Sequence, residues 1–483
     1  TGLYVDAARL GQAEALALLE RFDQALAQYQ LVIDVLGKYT DSRILSPDVV
    51  RASMTVTAEQ LSGQGRFAQA LAFLEPAAGL VDPDNFEVQS TYLQRLGDWR
   101  SALARSLRQE AAALGAGEES DPQRQALHDR ARALFLSAGE SFLRLARINT
   151  PNEERSAAAV WRAADRFDEA GDRVRTVAVL REFIRERPNH NLVSRALRRL
   201  GESLQAMGRY QEAIEAYQEN LRRFPRTPDA GSALVPLARC FLALGPDYYD
   251  QAEKTFRIIL EDSPIFTPQA PEFADALFLL GDLLSRQSRF EETIPRLREA
   301  MHRYPDDPRR VRAEFLLGDA YRQSGLALRE DLANARLVGE RDRLRAEHVR
   351  RLEEAAKLFQ RLVVRYEERD AAELDALETL FLRYARLYEA DCLYELQRYA
   401  EALKRYERAA WIYRNSPSAM AAYVQIINCH RYLGYPTEAR AALRRAQYLI
   451  QAIPESQFAE AELTGRRADW EQYLTWVEQS ELF

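Results

Sequence analysis

Cysteine is scarce in this 483-residue chain. Only Cys240, Cys392 and Cys429 occur, far apart and odd in number, which excludes a disulfide framework and any metal-ligand spacing of cysteines. Glycine (21) and proline (19) are too few for a collagen-like or linker-rich chain. No apolar run approaches the ~18 residues of a transmembrane helix. Nor does the opening TGLYVDAARLGQAEALALLERFDQ carry the basic leader and apolar core of a secretory signal. It also lacks an initiator Met, which predicts a fragment or processed form. Lysine stands only at 38, 254, 357 and 404, so nearly all of the 66 basic residues are arginine. That bias points to a GC-rich bacterial genome or to a preference for arginine in ion pairs.

Catalytic signatures are missing too. The five histidines (His128, His190, His302, His348 and His430) never fall at metal-binding spacing, and no phosphate loop, HExxH motif or nucleophile elbow occurs. A non-enzymatic protein without cofactor or metal is expected. The balance of 73 acidic to 66 basic residues, net −7, argues against a nucleic-acid partner. What remains is an ordinary soluble composition, 47% hydrophobic and 29% charged.

A short phrase recurs within it. Arginine, an aromatic, two residues and a small residue appear at Arg21-Phe22…Ala25, Arg66-Phe67…Ala70, Arg209-Tyr210…Ala213, Arg289-Phe290…Thr293 and Arg398-Tyr399…Ala402. Four residues on comes a large side chain: Tyr29, Leu74, Tyr217, Leu297 and Tyr406. Twelve residues before the small residue stands another small or apolar one, as in Ala13/Ala25, Ala58/Ala70, Gly201/Ala213, Gly281/Thr293, Ala390/Ala402 and Ile427/Ala439. Antiparallel helices cross closely where side chains are small, and a large residue one turn later fills the next gap. Pro188, Pro225, Pro264 and Pro305 close units, because proline cannot continue a helix.

These residues resemble the tetratricopeptide repeat family. The best unit is Leu197-x-x-Leu200-Gly201-x-x-Leu204, then Gly208-Arg209-Tyr210, Ala213, Tyr217 and Pro225. The resemblance implies an all-α, right-handed α-solenoid of helix-turn-helix repeats that binds other proteins and performs no catalysis. Helix pairs are expected at 3–19/22–36, 47–64/67–79, 85–96/99–114, 153–170/173–187, 192–207/210–223, 229–243/247–262, 270–287/290–303, 311–338/340–366, 371–396/399–414 and 416–433/436–451. Ser46-Pro47 and Thr150-Pro151 read as cap and first-turn proline, with Glu153 and Glu154 favouring the second helix start.

The expected organisation is N-terminal repeats over 1–114, a loop and odd long helix over 115–152, the main solenoid over 153–454 and a C-terminal capping helix over 455–483. That last helix, with Phe458, Leu463, Trp470, Tyr473, Leu474 and Val477, otherwise reads as a docking helix. The N-terminus shows no such cap, which fits the loss of upstream repeats. Gly318 and Ala355 stand 37 residues apart where twelve is the rule. The 25 extra residues lie within 324–350, turning near Gly339. They read as a solvated hairpin laced with i, i+4 ion pairs, or as a projecting arm that contacts a partner.

In the family the first helix of each pair lines the concave surface. Matched positions place Arg198 and Glu202, Val235 and Arg239, Phe278 and Asp282, Phe315 and Asp319, Leu387 and Asp391, and Val424 and Asn428 there, flanked by Arg195, Arg312, Arg322 and Tyr394. One reading is a groove with an apolar floor of Phe278, Phe315 and Leu387 and acidic points at Asp282, Asp319 and Asp391, suited to an extended or helical peptide carrying basic residues. The other is that these carboxylates bond to adjacent repeats and the rings are core. The expected role is a scaffold for protein or peptide partners. Several units resemble the repeats of envelope assembly lipoproteins, which suggests a bacterial periplasm or cell envelope, with the cytoplasm as the alternative. A regulatory module of a larger signalling protein and a self-associating structural subunit are the competing roles.

Overall fold

Amphipathic segments rich in Ala, Leu, Arg and Glu favour helices, and only neighbouring helices can bury their apolar stripes. In the computed structural model, which describes residues 2–39, 44–114, 121–262, 266–370, 374–459 and 466–480, no strand occurs among the described residues. The helices are α1 (Gly2–Leu18), α2 (Phe22–Ile33), α3 (Pro47–Gly63), α4 (Phe67–Gly79), α5 (Phe86–Ala113), α6 (Asp121–Ile148), α7 (Glu153–Glu169), α8 (Arg173–Glu186), α9 (Val193–Ala206), α10 (Tyr210–Arg223), α11 (Pro228–Gly231) and α12 (Leu234–Leu244). There follow α13 (Tyr249–Arg257), α14 (Pro271–Arg286), α15 (Phe290–Arg303), α16 (Arg310–Asn334), α17 (Val338–Glu367), α18 (Ala376–Glu395), α19 (Tyr399–Ile412), α20 (Ser418–Tyr432), α21 (Pro436–Ala452), α22 (Glu455–Ala459) and α23 (Arg467–Gln479). The chain divides into two compact units, Thr1–Leu244 and Gly245–Phe483. Each is a run of antiparallel helices in which successive elements pack side by side.

In most pairs the first helix (the A helix) meets the second (the B helix) as the repeat pattern requires. Ala13, Ala25, Ala58, Ala70 and Ala213 in the first unit, and Ala390 and Ala402 in the second, are fully buried at the crossings. The closest approaches use glycine. A Cβ at Gly201 would overlap the Tyr217 ring, one at Gly281 the Leu297 side chain, and one at Gly318 would lie 2.9 Å from the Phe359 ring. The large residue therefore sits directly over the small one on the A helix, sixteen residues away, rather than filling a gap one turn on. The 25-residue insert lengthens the Gly318–Phe359 separation without disturbing this seat.

The recurring arginine has a defined place. It is the N-cap of its B helix, and its backbone N–H reaches back to the A helix: Arg21 to Leu16 (2.9 Å), Arg66 to Leu61 (3.0 Å), Arg209 to Leu204 (2.9 Å), Arg289 to Leu284 (2.9 Å) and Arg398 to Leu393 (2.9 Å). The residue before it takes a left-handed conformation that closes the A helix, a role suited to glycine. Gly65 and Gly208 fill it in two units, but Glu20 (φ 57°), Ser288 (φ 58°) and Gln397 (φ 61°) fill it in others. Four of the five cap arginines then turn onto the residue three positions on. Arg66 bonds Gln69, Arg209 bonds Glu212, Arg289 bonds Glu292 and Arg398 bonds Glu401, at 2.5–2.8 Å.

Several expectations need correction. Residues 85–114 form no helix pair; α5 is one continuous helix. The odd helix α6 is its antiparallel partner: Gly97 of α5 faces the Phe142 ring of α6, and Gly139 of α6 faces the Phe167 ring of α7. The pair count is thereby regular in this region. Residues 115–120 of the presumed linker lie outside the described residues. Ser46 does cap α3, accepting from the Val49 N–H at 3.4 Å. For α7 the cap is Asn152, accepting from Arg155 at 3.0 Å, and not Thr150. The 229–243 helix is broken into α11 and α12. The long hairpin turns at 335–337, so Gly339 lies inside α17. Pro264 and Leu463 fall outside the described residues. The final helix is split into α22 and α23, and α23 lays Leu474 and Val477 against the core that Ile450, Ile453 and Phe458 share.

Candidate functional site

The face formed by the A helices is held by ion pairs that run from one A helix to the next. In the first unit Arg95 of α5 meets Glu59 of α3 at 2.5 Å, Arg199 of α9 meets Asp165 of α7, and Arg198 meets Asp229 of α11 at 3.1 Å. In the second unit Arg309, at the N-cap of α16, meets Asp275 of α14 at 2.5 Å, and Arg312 meets Asp282 at 2.6 Å. Arginine suits this role because its planar fork spans the gap between neighbouring helices and grips a carboxylate in a fixed orientation.

The expected site residues divide sharply. The first member of each matched pair, other than Arg198 and Val424, is core: Val235 is 3% exposed, Phe278 5%, Phe315 8% and Leu387 9%. Phe315 stacks on Phe381 at 4.6 Å and lies 6.2 Å from Tyr388, both on α18. Phe278 packs 6.2 Å from Tyr304 with the Arg309 guanidinium 4.6 Å above its ring. Neither ring forms an exposed apolar floor, because the next repeat covers it.

The acidic points are engaged as well. Asp282 accepts from Arg286 at 2.8 Å and from Arg312 at 2.6 Å, two guanidinium groups to one carboxylate. Asp319 binds Arg322 at 2.6 Å, whose guanidinium lies 3.9 Å over Tyr388. Asp391 accepts from the Tyr406 hydroxyl at 2.5 Å; burial pushes its pKa up, with that hydrogen bond opposing. Only Asp282 reaches the adjacent repeat, through Arg312; Asp319 and Asp391 bond within their own repeats. Tyr394 lies in the last turn of α18, 5.3 Å from Tyr399 and 5.9 Å from Tyr432. Burial raises its hydroxyl pKa. Arg198 and Glu202 are half-buried and paired to each other, and Arg239 is exposed on α12.

Two clefts were not foreseen. One, of about 780 Å³, opens in the first unit between α5, the end of α6 and α7. Phe86 (60% exposed), Ile148 and Ala158 give it apolar surface; Thr91, Asn149 and Arg155 give it hydrogen-bonding groups. The other, of about 810 Å³, lies in the second unit between α15, α16 and α17. Exposed Phe86 at the start of a helix was the one sequence signal for the first cleft. The second depends on side chains 60 residues apart.

The three thiols are buried, and burial lifts those of Cys240 and Cys429 to about 12. Among the described residues no group of three or more His, Cys, Asp or Glu side chains could hold a metal ion, and no helix is long and apolar enough to cross a membrane.

One tetratricopeptide repeat model matches residues 198–245 and 247–308, and a second matches 384–416. Among solved structures, a tetratricopeptide repeat protein from Parabacteroides merdae is 15% identical, covering 66% of this chain and 99% of that one at a TM-score of 0.34. BtubC from P. vanneervenii is 13% identical, covering 58% and 89% at 0.27. No curated protein matches the chain.

Proposed function

We propose that this chain of tetratricopeptide repeats is a non-enzymatic scaffold that holds a protein or peptide partner on the face built by its A helices. Such repeats generally serve protein–protein interaction, and stacking them gives a surface longer than a single repeat could offer. The observation that carries the reading is the α5–α7 cleft. It opens between successive A helices, presents Phe86 as an exposed aromatic anchor, and surrounds it with hydrogen-bonding groups for a peptide backbone. The A-to-A ion pairs hold both sides of this surface rigid, which lowers the ordering cost of binding. Arg198, Glu202 and Arg239 extend the same face of the first unit. In the second unit Asp282, Asp319 and Asp391 are proposed to act by positioning their arginine and tyrosine partners, with Phe278 and Phe315 supporting them from the core and Tyr394 at the edge.

The test is capture of partners from the native organism with the intact chain, followed by affinity measurement on the captured partner. Phe86→Ala is expected to weaken binding about tenfold or more, as loss of an aromatic anchor does. Undiminished binding by both Phe86→Ala and Arg198→Glu would refute the A-face reading. The resemblance of several units to envelope assembly lipoproteins extends the proposal to bacterial cell-envelope assembly. Recovery of only cytoplasmic partners would refute that extension.

A further inference from the structure

In the second unit the cleft opens between the B helices α15 and α17, with α16 as its floor. It sits at the foot of the long hairpin, and the insert's last turn supplies part of its wall. The floor is apolar, with Leu317 and Leu358 at its base and Tyr321 beside them.

Its rim carries charge of one sign once internal pairs are accounted for. Both lining carboxylates are neutralised along their own helices: Glu299 by Arg303 at 2.8 Å and Glu354 by Lys357 at 2.9 Å. The lining cations are not matched in this way. Arg361 shares the buried carboxylate of Glu314 with Arg365, so two guanidinium groups face one acid. Arg350 and Arg351 divide Glu347 and Glu291 between them and balance. Arg298 on α15 is exposed and forms no ion pair among the described residues, and His302 one turn on is exposed too and offers a ring N–H donor. The local balance is positive in a chain whose net charge is −7. A cleft walled by low-dielectric side chains concentrates such a field.

We infer that this cleft docks an acidic peptide segment of a partner protein, one in which carboxylates alternate with apolar side chains. Its apolar residues would enter between α15 and α17 onto Leu317 and Leu358. Its carboxylates would meet Arg298 and His302 on one rim and Arg361 on the other. Charge complementarity selects this occupant over a basic peptide, and the apolar floor selects it over an inorganic anion. The site is separate from the A-helix cleft, so either can fail while the other stands.

The experiment uses the full chain and a labelled peptide of alternating Leu and Glu, read by fluorescence anisotropy. Matched Leu/Lys and Ser/Glu peptides serve as comparisons. The Leu/Glu peptide is expected to bind best, and to weaken about fivefold or more between about 50 and 300 mM salt. Arg298→Glu/His302→Glu is expected to reduce binding about tenfold or more, and Arg298→Gln to reduce it less, with the helical content of each variant unchanged. Phe86→Ala should leave this binding intact. Equal binding of the Leu/Lys peptide, or unchanged binding by the double variant, would overturn the inference. So would self-association of the chain that the double variant abolishes, since a second copy would then be the occupant.

Discussion

The Gly201 position shows how narrowly one side chain can be prescribed. Glycine inside a helix costs up to ~1 kcal/mol against alanine, yet here a Cβ would overlap the Tyr217 ring. Gly201→Ala is therefore expected to destabilise by about 1–3 kcal/mol, the usual cost of overpacking, despite its better helix propensity. At the turns glycine is again the favoured residue, but for its backbone rather than its lack of bulk. Ser288 and Gln397 hold left-handed conformations that glycine adopts freely. Ser288→Gly and Gln397→Gly are expected to raise stability by about 0.5–1 kcal/mol each. Thermal and urea denaturation of the variants would check both signs. A stabilised Gly201→Ala would mean the crossing has room to spare.

The same scale explains what the candidate site kept hidden. That Asp282, Asp319 and Asp391 occupy equivalent positions in their repeats was legible from their spacing. That they are occupied was only half legible: Arg286 and Arg322 stand at i+4 and i+3, but Arg312 and Tyr406 belong to other helices. Phe315 is covered by Phe381 of the following repeat, and Phe278 by Tyr304 and Arg309, residues that no short window around either phenylalanine contains.

Among the elements, the α16/α17 hairpin departs most from the pattern. Its outer part makes few ion pairs of the kind expected. Arg329 reaches Glu395 of α18, but Arg341 and Arg343 bond only backbone carbonyls, of Ala335 and Gly339, among the described residues. The tip exposes Leu337 (70%) and Val338 (72%). Because Gly318 and Phe359 meet below the insert, removing residues 324–348 restores the ordinary sixteen-residue separation. The shortened chain is expected to keep its helical fold, with a melting temperature lowered by no more than a few degrees. Circular dichroism would check this; loss of cooperative unfolding would show that the hairpin is a structural strut instead.

For the molecule as a whole, arginine–carboxylate pairs set the response to acid. The partner guanidinium holds Glu212, Asp307, Glu378 and Glu401 below the usual carboxylate range, and Arg350 draws Glu347 down to about 2. A carboxylate depressed in the folded state binds fewer protons there than when unfolded. Its contribution is complete above the unfolded pKa of ~4 and is lost as pH falls through the folded value. Glu389 and Asp391, raised chiefly by burial, act in the opposite direction but are fewer. Urea midpoints are therefore expected to fall from pH 5 toward about pH 2–3. Glu347→Gln should flatten that fall slightly, since its exposed pair contributes little. A midpoint that rises on acidification would show that buried acids dominate.

The repeat phrase by itself determined helix type, the principal turns and the close A–B crossings, because each is settled by side chains within about sixteen residues along the chain. Helix propensity, glycine or a left-handed substitute at the turn, and a small residue under a large one are all local. Tertiary structure alone decided that α5 runs unbroken with α6 as its partner, that the acidic row is already bonded, and that two clefts open between repeats. Those outcomes rest on burial and charge pairing between side chains brought together only by stacking. The free energy of such contacts depends on distances in space that no single stretch of sequence records.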